Sequence, residues 1–134
     1  MTRSRLASSL AALGFVFWGA VNAAGHMNAQ ESRPYGVFSN MQAFDGDYSG
    51  FEFIVLPSNE GDFLLFQAAE GWPSKPILFS LSRATEPTAG TAAIVFDHPE
   101  MGPFKGTVAG DSLIGEFTRM KYPIRLRRGP SIWQ

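Results

Sequence analysis

From residue 35 onward, apolar and polar positions alternate with a period of two in short runs, which is the spacing of strands rather than helices. The clearest run is 48–56, where Phe51, Phe53 and Val55 fall on one side and Glu52 and Ile54 on the other. The first set is expected to face a core. Further runs rich in Phe, Ile, Val, Leu and Thr follow at 63–68, 77–83, 91–96, 104–109, 112–118 and 123–127, with a weaker one at 36–39. Each is bounded by Gly, Pro, Asn, Asp or Ser. Gly110-Asp111 joins two alternating stretches and is the strongest hairpin signal in the chain. Residues 58–62 read as a turn, 71–76 as a loop carrying Trp72, with Pro73 and Pro76 breaking any ladder, and 84–90 as a soft connection. Nine prolines and fourteen glycines leave no convincing long helix. About eight short strands in meander order predict a small all-β, antiparallel up-and-down barrel, because closing such a sheet removes its exposed edges.

The N-terminus follows a different pattern. Arg3 and Arg5 precede an apolar run from Leu10 to Val21 that ends in Val21-Asn22-Ala23-Ala24, the order of a secretory signal with a cut after Ala23 or Ala24. The run is shorter than the roughly 20 residues that span a bilayer, so a permanent membrane anchor is not expected. The expected organisation is a signal at 1–23, a flexible leader at 24–34 and one barrel domain at 35–134. The mature 111 of the 134 residues suffice for a single core. The chain has no Cys, so an exported product relies on packing rather than disulfides, in the periplasm or outside the cell. Without Arg3 and Arg5, 9 basic side chains face 12 acidic ones, which argues against nucleic acid as a partner.

Two segments carry a resemblance. Gly46-Asp47-Tyr48-Ser49-Gly50-Phe51 is similar to the G-x-W-x-G-x opening of a lipocalin-like β module found ahead of α/β-hydrolase domains in exported bacterial proteins. Residues 104–118, followed by 123–127, resemble the closing hairpin and last strand of that module. Tyr48 stands where the module carries Trp. The resemblance implies a calycin-type barrel in which an Arg of the last strand, Arg125 or Arg127, packs over Tyr48 to close one end. It implies no activity.

The candidate chemistry is sparse. Gly110-Asp111-Ser112-Leu113 spells the motif of a large esterase family, but a nucleophilic serine needs a base, and the chain holds only His26 and His98, both upstream. A hairpin turn accounts for the same letters. Asp97-His98-Pro99-Glu100 is the only titratable cluster containing a His within the expected domain. Adjacent strand residues point oppositely, so a polar turn with a solvated His98 is expected, with no metal and no cofactor. Arg119, Lys121, Arg125, Arg127 and Arg128 form a basic patch that fits an anionic surface. Cross-strand pairing with Asp45, Asp47, Glu52, Glu60 and Asp62 is expected to absorb it.

Twelve Phe in this chain bear most directly on a ligand. An eight-stranded barrel is just wide enough to be filled by side chains or to hold one small molecule. The expected function is therefore a non-catalytic, exported barrel that binds a small apolar or amphipathic ligand, lined by Tyr48, Phe53, Trp72 and Phe79. The alternative is a packed barrel that presents residues 71–76 and 98–103 to a protein partner of the cell envelope. An esterase using Ser112 ranks last. Trp133, near the end of the chain, is expected to pack across the barrel bottom or to stay disordered.

Overall fold

The computed structural model describes residues 34–81 and 90–134. The expected signal and nearly all of the leader lie outside the described residues, as does most of the connection at 84–90. The described chain contains strands and turns and no helix: β1 (Gly36–Ser39), β2 (Gln42–Phe44), β3 (Asp47–Leu56), β4 (Asp62–Pro73), β5 (Ile77–Leu81), β6 (Thr91–His98), β7 (Gly102–Ala109), β8 (Ser112–Phe117) and β9 (Ile124–Arg128). All pairings are antiparallel.

The sheet runs β5-β4-β3-β1-β9-β8-β7-β6, with β2 also paired to β3. Because β2 continues the β3 register that β1 begins, Ser39↔Glu52 and then Gln42↔Ser49, the two form one interrupted stave. Every stave therefore neighbours the next in sequence, and β1 against β9 joins the ends. This is the small antiparallel up-and-down barrel that the alternation predicts, and it is consistent with the lipocalin-like form that the resemblance implies. It is nearly closed: β5 and β6 lie alongside one another without a paired register among the described residues.

The turns follow their residues. Between β2 and β3, Asp45 at φ 51° and Gly46 at φ 89° are both left-handed, as a two-residue type I′ connection requires. Gly110-Asp111 forms the expected two-residue hairpin between Ala109 and Ser112.

Phe51, Phe53 and Val55 point inward as predicted, Phe53 and Val55 fully buried. The centre of the barrel is filled with rings. Phe53 meets Phe104 at 5.2 Å, Phe66 at 5.3 Å and Phe96 at 5.7 Å, and Phe104 meets Phe117 at 4.9 Å between centroids. The Phe104 ring has room because Gly106 and Gly115 face each other across β7 and β8. A Cβ on Gly115 would collide with that ring.

Three local expectations are corrected. Residues 71–73 belong to β4 rather than to a loop; there β4 pairs only with β3, so Pro73 removes no ladder bond to β5. His98 is not solvated: it ends β6 on the inward side and is only 6% exposed, with its ring 5.0 Å from Phe66 and 5.7 Å from Phe79. Trp133 packs on the outer wall, not across the bottom.

Candidate functional site

The outer wall of β3 and β4 carries the first candidate site. Phe51, Phe53 and Val55 of β3 turn toward the core, so Tyr48, Glu52 and Ile54 face outward. The exposed flank of such a strand normally stays wet, yet Glu52 is 2% exposed. Residues 129–134 leave the end of β9, cross β1 and lie over this wall. Gly129 N donates to Val37 O at 3.1 Å, Ser131 Oγ donates to one Glu52 carboxylate oxygen at 2.6 Å, and Ile132 N donates to the other at 3.1 Å. Trp133 Nε1 donates to Gln67 Oε1 at 3.0 Å, and its ring lies 5.5 Å from Tyr48. Under this strap is a groove of about 250 Å³, lined by Glu52, Ile54, Leu65, Gln67, Pro76 and Trp133.

The four expected lining residues do not converge. Phe53 and Phe79 lie inside the barrel, Phe53 fully buried and Phe79 partly buried, 4.7 Å from Phe96. Tyr48 is outside the wall, and Trp72, 6.4 Å from it, stands at the end of β4 with 76% of its surface exposed. Trp72, Tyr48 and Trp133 make an external aromatic row. Beyond them the β2–β3 tip presents Phe44, 83% exposed, flanked by the exposed Asp45 and Asp47, while Glu70 is exposed beside Trp72.

Four of the five side chains in the basic patch fall into three groups. Arg128 points inward at the end of β9 and stands 4.5 Å over the Phe38 ring; it also pairs with Asp111 at 3.3 Å and donates to the carbonyl of Tyr35. The arginine that caps a ring at the barrel end is thus Arg128 over Phe38, not Arg125 or Arg127 over Tyr48. Arg125 and Arg127 face outward, and β1 separates β9 from β3, so neither closes the barrel over Tyr48. Arg119 donates to the carbonyl of Glu100 at 2.9 Å. Cross-strand acids do not absorb the rest: among the described residues, Arg125 and Arg127 have no carboxylate partner.

They line a second groove, of about 520 Å³, with Ser39, Asn40, Met41, Gln42, Ser112, Ile114 and Leu126. It exists because the first stave parts from β9 after Ser39. The Asn40 side chain donates from Nδ2 to the Arg125 carbonyl at 3.2 Å and accepts the Phe51 N–H at Oδ1 at 2.8 Å, filling backbone positions a continuing strand would have used. Gly50 permits this. Its φ is +114°, and a Cβ there would lie 2.7 Å from Asn40 atoms.

Ser112 and His98 are far apart. Along β7, His98 pairs with Gly102 at one end and Ser112 with Ala109 at the other, about 23 Å at the usual rise per residue. The His98 Nδ1 accepts the backbone N–H groups of Glu100 and Met101, both at 3.2 Å, so the neutral ring carries its proton on Nε2. Burial lowers its pKa, opposed by the nearby Glu100 carboxylate. Among the described residues no three His, Asp or Glu side chains group as metal ligands. Comparison of the chain with protein-family models, with curated proteins and with solved structures finds no match in any of the three.

Proposed function

We propose that this chain is an exported, non-catalytic barrel of the cell envelope that works through its outer surface as a protein-interaction module. The observation that carries the reading is the filled interior. Phe53, Phe66, Phe96, Phe104 and Phe117 interlock where a lipocalin-like cup would hold its ligand. What remains exposed at one end is aromatic: Phe44 and Trp72, rimmed by Asp45, Asp47 and Glu70. Such a surface suits a partner with an apolar spot framed by Lys or Arg. The signal-like residues 1–23 and the resemblance to an exported lipocalin-like module support the envelope assignment.

A photocrosslinking side chain at position 72, in the exporting host, is expected to trap one protein. The same group at Lys105, on the far wall, is expected to trap none, and loss of the adduct in Phe44→Ser would map the contact. Equal capture from both positions, or none from position 72, would overturn the reading.

A second reading rests on the groove beneath Trp133, whose Ile54, Leu65 and Pro76 walls suit a small apolar or amphipathic ligand. Native mass spectrometry of the mature protein, with tryptophan fluorescence titration by laurate, separates the two. A co-purifying molecule with saturable quenching that is lost in Trp133→Phe supports the ligand; a clean apo mass with no response supports the partner.

A further inference from the structure

We propose that the groove between β2 and β9 is a binding site for a phosphate ester, held by Arg125 and Arg127. This goes beyond the partner-binding face, which lies at the β2–β3 tip. The alternation in Ile124-Arg125-Leu126-Arg127 buries the two apolar residues and sends both guanidinium groups to one side of β9, about 7 Å apart at their Cα atoms. Arg127 pairs with Ser112 on one neighbouring strand and Ser39 on the other. A row of side chains thus crosses three strands on the outer face, at about 4.8 Å intervals.

The donors are available. The Ser39 hydroxyl is engaged with Phe51 O and Met41 N, but the Ser112 hydroxyl and the Gln42 amide make no hydrogen bond among the described residues. No Asp or Glu lines the groove. Two unneutralised guanidinium groups, a hydroxyl and an amide around one concavity form a donor set that matches a tetrahedral oxyanion, which Arg binds through paired N–H groups. The groove is much larger than one phosphate, and Met41, Ile114 and Leu126 supply apolar wall. The ligand is therefore a phosphate carried on a larger, partly apolar body. Such a group reaches an envelope protein either on a soluble metabolite or on a lipid headgroup.

The test uses the mature protein and two probes. Glycerol 3-phosphate is titrated while the amide resonances of Ser112, Arg125 and Arg127 are followed, and flotation is measured with vesicles of phosphatidylcholine alone or mixed with phosphatidylglycerol. Saturable shifts that the double variant R125Q/R127Q weakens at least about tenfold, and that Lys105→Gln leaves alone, are expected for a soluble ester. Flotation with only the phosphatidylglycerol vesicles, lost in the same double variant, assigns the site to a headgroup. Both substitutions lie on the surface, and an unchanged melting temperature verifies folding. Absence of both responses, or responses that persist in R125Q/R127Q, would overturn the proposal.

Discussion

The carboxylate of Glu52 accepts a hydrogen bond from the Ser131 hydroxyl across 79 residues of sequence, at 2.6 Å, and this contact fastens residues 129–134 to the barrel wall. A buried carboxylate is tolerated only where donors reach it, and here Ser131 and Ile132 supply them. Glu52→Ala is expected to free residues 129–134, to cost about 1.5–3 kcal/mol, the usual worth of hydrogen bonds to a charged group, and to shift Trp133 emission to the red. A wild-type spectrum and stability in that variant would refute the clamp.

The closure of the barrel gives a graded prediction. Arg128 is half-buried over Phe38, whereas its partner Asp111 is almost fully exposed. Asp111→Asn should change stability by no more than about 0.5 kcal/mol, since an exposed pair is worth little. Arg128→Lys, which keeps the charge but loses the planar fork over the ring, should cost more, about 1–2 kcal/mol. Urea denaturation of the two variants compares them directly.

Gly106 and Phe104 form a packing pair that can be tested as one. A Cβ on Gly106 would lie 2.6 Å from the Phe104 ring, so Gly106→Ala should destabilise by about 1–3 kcal/mol. In a Phe104→Leu background the same change should cost less, by at least about 0.5 kcal/mol, because the clashing atoms are gone. Additive losses in the double-mutant cycle would show that the ring does not set the cost.

His98 sets a pH dependence. Its folded pKa lies below the unfolded value of 6.5, because burial disfavours the imidazolium. The unfolded chain therefore binds more protons below about pH 6.5, and the stability this site contributes is complete above that value and lost as pH falls from it through the lower folded pKa. His98→Asn keeps an acceptor for the N–H groups of Glu100 and Met101 while removing the titration. Melting temperatures from pH 7.5 to 5.0 are expected to fall less steeply in the variant; parallel curves would refute the assignment.

The period-two runs between 36 and 127, with the Gly110-Asp111 dipeptide, by themselves determined the all-β class, the meander order and the inward set Phe51, Phe53 and Val55. These follow from local geometry, because side chains on a strand change face at every residue and a two-residue hairpin demands its own backbone angles. Only the tertiary structure decided what covers each face. Glu52 reads as an exposed strand position until the chain end, 79 residues later, folds over it. His98 reads as part of a polar turn until β6 proves two residues longer and carries it into the ring cluster. The arginines share one composition and one strand, yet Arg128 is consumed at the barrel end while Arg125 and Arg127 overhang an open groove. That division depends on where the first stave parts from the last, and Asn40 and Gly50 arrange the parting through contacts between distant strands. Period two tells each residue which side it faces. The neighbour waiting on that side is chosen by closure of the sheet, a long-range event that no local pattern encodes.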